Sequence, residues 1–391
     1  MNFAPVLPRI IGEFGLSLAA AGLLFPMRGA GGFLGGLVAG PLVDRHGTKP
    51  VVAAAQAAAI AGHVTAALAP SWAWVIAGLT LAEIGQRALA TCLSTLVAGE
   101  NSADPARLLN YLHAVYGLGA LAAPLGAGAW IAARSGWRAV FLGAALLWIV
   151  LLAATIWTAY PPLKSRGSRF PVLDRGLFGN ELFLALFAVA FCYNGVATPL
   201  LAWINTYLDR TGAVDPFWAS SMLSVFYAAL TAGRLACGAL AARFGFERTI
   251  LTCSVAAAIA YPIVIAAGRP LILAAGVLLS GLFLSGLFPT ALAIASRAFK
   301  ERPGTATALL STAMTLGSLL PPWWTGAIAD LWSFRGALGL NGGLFALMLT
   351  AAVHVYRARS GPDQSGEQQE RGEGSAAAGY TDPPGRRAGP G

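Results

Sequence analysis

Eleven times along this chain an apolar run of roughly twenty residues ends in charge, proline or glycine. Each run, wound as a helix rising 1.5 Å per residue, is about as long as the hydrocarbon core of a bilayer is thick, near 30 Å. The runs lie near residues 18–43, 50–69, 71–98, 108–133, 138–160, 180–208, 217–242, 249–267, 270–297, 304–329 and 335–356. They are apolar all round rather than striped, so they read as spanning helices and not as helices lying on a surface. Strands of a membrane barrel would alternate over about ten residues, and these runs do not. The sequence therefore predicts an all-α polytopic membrane protein. Composition points the same way: 57% of the 391 residues are hydrophobic and 11% charged, with mean hydropathy +0.66, whereas soluble domains carry about 25% charged residues.

The stretch before the first run, MNFAPVLPRIIGEFGLS, is apolar only from Phe3 to Leu7. That is about 8 Å of helix, too short to cross a membrane alone. Either the true start lies upstream of Met1 or the chain has half a first helix. No cleavable signal peptide is required, because a first span can direct insertion.

The net charge of +9 sits between apolar runs, which indicates topology rather than nucleic-acid binding. One alternate set of connectors holds Arg45, Lys49, Arg107, Lys164, Arg166, Arg169, Arg175, Arg243, Arg248, Arg297, Lys300 and Arg302. The other holds only Arg9, Arg134, Arg138, Arg210, Arg269 and Arg335. The richer side is expected to be cytoplasmic, and the protein is expected in the cell (inner) membrane. The tail, rich in Gly, Pro, Gln and Glu, is expected to be cytoplasmic and disordered. Cys92, Cys192, Cys237 and Cys253 lie inside apolar runs without paired spacing and read as small packing residues.

The longest polar interruption before the tail, PPLKSRGSRFPVLDRG at 161–176, divides the spans into halves. The expected organisation is a bundle over 1–160, a cytoplasmic loop over 161–178, a second bundle over 179–356 and a tail over 357–391. The halves echo each other. GPLVDRHGTK at 40–49 aligns with GALAARFGFE at 238–247, offset by 198 and keeping both glycines and the arginine. Internal repeats of this kind mark secondary transporters, with the solute path between the halves.

Gly32, Gly36 and Gly40 recur every four residues, which predicts a smooth helix face for a close neighbour. At the end of that helix Gly47 permits a tight turn, and Asp44 can accept hydrogen bonds from a neighbouring helix N-terminus or an arginine. Together with Arg45, Lys49, Arg234, Arg243 and Gly245 these residues read as a cytoplasmic gate, latched when that side is closed.

GPLVDRHGTK resembles the loop signature of the major facilitator superfamily of two-bundle secondary transporters, and 238–247 resembles its weaker second copy, with Ala242 replacing the acid. LNYLHAVYGLGALAAPLGAG with GWRAVF, WINTYL with a downstream GRL, and SGLFPTALAIAS are similar to the branch containing the fucose and glucose symporters. The resemblance covers residues 5–356. It implies two six-helix bundles, here with about eleven full spans and a truncated first helix. Similar transporters often read Tyr-x-Gly-x-Glu in the seventh helix, with the carboxylate implicated in ion coupling. This chain reads Tyr193, Asn194, Gly195, Val196, Ala197, so that role does not carry over.

An ionised side chain inside a span costs about 2.5–3.5 kcal/mol on insertion scales, and four stand out: Arg28, Glu83, Arg87 and Arg234. Glu83 and Arg87 are one helical turn apart on one face, acid first as pairing prefers. Counted inward, Arg28 and Glu83 lie about 15 and 18 Å deep and Arg87 about 24 Å. One reading is an ion-pair network that fixes helix packing. The other is that Glu83 titrates or exchanges partners while an arginine engages an anionic or hydroxylated solute. Arg234, nearer the end of its helix, reads as a gate or a snorkelling side chain. His113 is a candidate proton shuttle and His63 a weaker one.

Asn194 with Gly195 and Thr198 with Pro199 are expected to interrupt their helix and free carbonyls for a polar solute. Trp203 reads either as an interfacial belt residue or as a stacking platform. GALAAPLGAG at 119–128 reads as a hinge, and Pro321 and Pro322 before Trp323 and Trp324 as a bend. No phosphate-binding loop, metal helix or nucleophile elbow is present in the sequence. The expectation is a non-enzymatic, gradient-driven permease without cofactor or metal, monomeric, and coupled to a proton or another ion. Its alternatives are a drug-type exporter and a non-transporting sensor or inactive paralogue.

Overall fold

The computed structural model describes residues 3–99, 105–133, 136–160, 175–211, 214–267 and 269–359. The connector over 161–174 and the tail beyond 359 lie outside them. The described residues form helices joined by short turns and contain no strand. The first half comprises α1 (Leu7–Phe14), α2 (Leu18–Gly22), α3 (Leu24–His46), α4 (Thr48–Ala67), α5 (Trp72–Gly99), α6 (Pro105–Ala132) and α7 (Trp137–Trp157). After the short α8 (Arg175–Phe178) come α9 (Glu181–Thr211), α10 (Pro216–Phe244), α11 (Phe246–Ala266), α12 (Pro270–Leu284), α13 (Leu287–Ala298), α14 (Pro303–Leu331), α15 (Phe334–Asn341) and α16 (Gly343–Arg359).

All eleven apolar runs are helical. Three of them are broken once, between α2 and α3, α12 and α13, and α15 and α16. Among the described residues nine helical stretches are long and apolar enough to cross a membrane. Two of the breaks sit at close crossings. A Cβ on Gly286, which divides α12 from α13, would lie 2.6 Å from Cys237 Sγ, and one on Gly22 would lie 3.2 Å from the Trp323 carbonyl oxygen.

The first half packs backbone to backbone. A Cβ on Gly35 of α3 would lie 2.2 Å from the Ile84 carbonyl oxygen of α5, one on Gly62 of α4 2.5 Å from that of Gly78, and one on Gly85 2.3 Å from that of Ala55. Without side chains in the way, dispersion acts at its best range, which is how helices associate where no water is displaced. The tight row on α3 runs through Gly31 and Gly35, one residue off the predicted Gly32, Gly36 and Gly40 row. Gly36 meets only Thr91 Oγ1, at 3.8 Å. One residue turns the face by about 100°, and α5 settles on the row that lets its backbone come closest. The second half shares a larger side-chain core from α9 to α16, with Phe183, Phe226 and Tyr261 almost wholly buried in it.

The halves meet at the end opposite Gly47 and Gly245 and part toward the basic end, which carries those two glycines. From far to basic end along α6 and α10, a Cβ on Gly128 would lie 2.5 Å from Ser220 Cβ, and Ser224 Oγ donates to the Leu121 carbonyl at 2.7 Å. A Cβ on Gly117 would reach only to 3.9 Å from Thr231 Oγ1. Beyond, Leu235 is exposed and Gly238 faces open space. The seam between α3 and α14 behaves alike: Gly29 abuts Leu319, whereas Phe33, one turn farther along that face, is exposed. A cleft between the halves thus opens at the basic end.

α1 is a wedge in the closed far end. Val6 and Ile10 pack with Leu24, Val75, Trp137 and Phe141 of the first half, while Leu7 and Ile11 pack with Trp203 and Phe334 of the second.

Candidate functional site

The centre of the first half is built on Gly32. With no side chain there, Arg87 and Glu83 lie against α3: a Cβ on Gly32 would be 3.1 Å from Arg87 Cγ and 3.3 Å from Glu83 Cγ. Arg28, one turn before Gly32, reaches the same acid. Its Nη2 donates to Glu83 Oε2, and Arg87 Nε donates to Glu83 Oε1 at 3.0 Å. The trio predicted from spacing is therefore assembled, with one carboxylate holding two guanidinium groups. Arg28 is further covered by the Phe3 ring, whose centroid is 4.4 Å from its guanidinium carbon, and its Nε is buried without a hydrogen-bond partner. The side chains of Arg28 and Glu83 are 16% and 13% exposed, against 61% for Arg87. Arg87 is the arm that faces the cleft.

Arg234 joins this group instead of reaching the rim. It sits ten residues, about 15 Å, before the end of α10 and lies against the Tyr193 hydroxyl of α9. The hydroxyl of Tyr116, on α6, is within electrostatic reach of Arg87, Glu83, Arg234 and Arg28, and Tyr227 neighbours both Tyr116 and Tyr193. The three tyrosines are what the sequence reading missed. In an apolar run a tyrosine reads as core, and the one available signal was Tyr193 beside Asn194 and Gly195.

Other expectations are revised. α9 is continuous through Gly195 and Pro199, so the helix is not interrupted, although Pro199, which has no N–H, still leaves the Gly195 carbonyl without its helical donor. Gly195 instead marks a close crossing with α14, where a Cβ on Gly317 would lie 2.2 Å from the Phe191 carbonyl oxygen. Asn194 ties the same two helices, its Nδ2 donating to the Met314 carbonyl at 2.9 Å. Trp203 is no interfacial belt residue. It is wholly buried between Phe25 and Phe334, and its Nε1 donates to the Pro322 carbonyl at 2.7 Å. In this closed arrangement of the far end, Trp203 is packing. The double proline leaves α14 as one helix. His63 is buried with Nδ1 2.7 Å from the Ala59 carbonyl oxygen. His113 lies on α6, and its side chain is outside the described residues. The four cysteines are free and buried, but Cys237 and Cys253 come together at 3.6 Å between sulfurs.

At the basic end the two loop copies share one backbone form. Gly47 has φ 84° and ψ 164°, and Gly245 φ 90° and ψ 157°. Each amide closes a helix by donating to the carbonyl four residues back, Val43 at 2.8 Å and Ala241 at 3.0 Å. Asp44 and Arg45 are exposed on the last turn of α3, and Gly40 is half-buried one turn earlier. Lys49 Nζ donates to the Ile156 carbonyl at 2.7 Å, which ties this loop to the end of α7. Arg243 lies over the Phe244 ring.

The sequence model of the major facilitator superfamily matches residues 1–219 and 213–384. No curated protein sequence matches the chain. Among solved structures it is similar to a point-mutant form of the nucleoside transporter NupG, at TM-score 0.80 and 12% identity, over 90% of this chain and 95% of that one. It is also similar to a bacterial homologue of the human lysosomal transporter Spinster. The inward-facing and occupied form gives TM-score 0.78 at 16% identity over 91% and 92%, and the inward-facing and unoccupied form 0.76 at 16% over 92% and 95%. At such identities the likeness is one of fold.

Proposed function

The chain belongs to the major facilitator superfamily, and from that premise we propose that it is a secondary transporter, carrying a small polar or anionic solute by alternating access and driven by a proton gradient. The observation that carries this reading is Glu83 held by Arg28 and Arg87 at mid-depth, with Arg87 facing the cleft. A proton on Glu83 removes the carboxylate that occupies both arginines and so strengthens their hold on an anion. By linkage, the bound anion strengthens proton binding by the same factor. The basic end is read as cytoplasmic by the Lys and Arg count. The arrangement is then inward-facing, in a multi-pass inner-membrane protein whose tail is cytoplasmic and whose two bundles, over 1–160 and 179–356, rock as a monomer. Asp44, Gly47 and Gly245 lie on the rim that must close. The finer placement beside the fucose and glucose symporters rests on sequence motifs alone.

The test is uptake into proteoliposomes from a panel of sugars, carboxylates and dyes, with and without a pH gradient. The Glu83→Gln variant is expected to bind solute but lose the gradient dependence; an unchanged dependence removes Glu83 from the mechanism. A non-transporting sensor is the second reading. It is favoured by Ala197, buried on α9 where similar transporters carry an acid.

A further inference from the structure

We infer that the solute is an organic dianion, held between Arg87 of the first bundle and Arg234 of the second; this narrows the anionic-solute reading above and rests on it. The central group carries three cations and one acid, Arg28, Arg87 and Arg234 against Glu83, and Tyr116 feels all four. With Glu83 ionised the surplus is 3 − 1 = 2 positive charges; with Glu83 protonated all three stand uncancelled.

While the cleft is open, water and its ions screen this excess. Once the basic end closes as well, the same charges sit in a medium of low dielectric, where unbalanced charge is far more costly. A neutral solute leaves the excess untouched and a monoanion leaves at least one charge unbalanced. A dianion cancels it when Glu83 is ionised and, when Glu83 carries its proton, leaves one charge where a monoanion leaves two.

The placement of the arginines makes this a bridge as well as a balance. Arg28 is covered by Phe3 and occupied by Glu83, whereas Arg87 is 61% exposed toward the cleft. Among the described residues no acidic side chain pairs with Arg234, which lies against a tyrosine hydroxyl. An oxyanion accepting from Arg87 and Arg234 contacts both bundles at once, with the tyrosines as neutral donors beside it. Two forked guanidinium groups suit the planar or tetrahedral oxygens of a carboxylate or phosphate.

The experiment measures binding to the full chain in nanodiscs at about pH 8, where carboxylates and phosphate monoesters are fully ionised, with four probes: phenyl phosphate, succinate, benzoate and phenyl glucoside. At least one dianion is expected to bind about tenfold or more tighter than benzoate. Arg234→Gln is expected to erase that preference and Arg234→Lys to keep most of it, which separates charge from folding. Nanodiscs with and without phosphatidate distinguish a lipid phosphate, which would compete with phenyl phosphate, from a soluble one, which would not be displaced. Benzoate binding as tightly as both dianions, or a dianion preference untouched by Arg234→Gln, overturns the inference while leaving an anion carrier. Binding of the glucoside alone overturns the anionic reading as well.

Discussion

Asp330, in the last turn of α14, accepts the backbone N–H of Leu18 at 2.9 Å and that of Ala19 at 2.7 Å, so a carboxylate of the second bundle caps the first turn of α2 in the first. The opening amides of a helix have no partners within it, and a carboxylate there is favoured by the dipole as well as by the hydrogen bonds. Opening of the far end must break this cap. Asp330→Ala should therefore weaken the closed arrangement by about 1 kcal/mol, a shift of roughly fivefold in the population of the open one. Spin labels at Arg9 and Leu331 should then show a larger long-distance fraction. An unaltered distance distribution would mean that the cap is incidental to closure.

The crossing of α3 and α5 predicts a different kind of loss. Gly35→Ala places a methyl 2.2 Å from the Ile84 carbonyl oxygen, against rigid backbone, and overpacking of this sort costs about 1–3 kcal/mol. Gly36→Ala, beside Thr91 at 3.8 Å, should be tolerated. The pair, compared by thermal unfolding in the same detergent, tests which glycine row faces α5.

That contrast shows where legibility ended. The eleven spans were readable because each needs only its own run of apolar residues. Which glycine row meets α5 depends on a neighbour some fifty residues away, and a one-residue error turns the face by about 100°. The trio of Arg28, Glu83 and Arg87 was readable because charge inside an apolar run is conspicuous. Tyr116, Tyr193 and Tyr227 were not, since only the crossing of α6, α9 and α10 shows that they surround charge. Asp330 was invisible for a related reason: its partners are backbone amides 312 and 311 residues away.

Two positive-φ glycines at matching places in the two halves make the half-chain repeat testable. At Gly47 and Gly245 the backbone holds φ 84° and 90° with extended ψ, a region that side-chain-bearing residues enter at a cost of about 1–3 kcal/mol. Gly47→Ala and Gly245→Ala should lower thermal stability by similar amounts, because the two loops share one conformation. A large loss at one and none at the other would show that the copies have diverged in structure as well as in sequence.

Removing Glu83 should hurt more than removing both partners of its buried pair. Glu83→Ala leaves Arg28, 16% exposed, facing Arg87 without the acid that balanced them, and stranding a buried charge costs about 3–5 kcal/mol. The double variant Arg28→Met with Glu83→Met removes the stranded charge together with its partner and should recover much of that loss. Measured by unfolding in detergent, the double variant should be the more stable of the two. If it is the less stable, the pair contributes net stability in its own right and the burial argument is wrong for this site.

Acid should loosen α1. Glu13, outside the membrane-spanning helices, accepts from Trp137 Nε1 at 2.6 Å and Arg138 Nη1 at 2.5 Å. The Trp137 hydrogen bond first, and the hydrogen bond and charge of Arg138 after it, outweigh desolvation and hold its carboxyl below the ordinary value of 4.5. A group whose pKa is lower when folded binds fewer protons in that state, so its contribution is complete above about pH 4.5 and is lost as pH falls through the folded value. The stability gap between the parent and Glu13→Gln should therefore be constant near neutrality and shrink below about pH 4.5. The effect will be modest, because the pair is 39% exposed on each side and solvent screens it. A gap that persists undiminished at about pH 3, below the ordinary carboxylate range, would mean that Glu13 holds α1 by packing and not by charge.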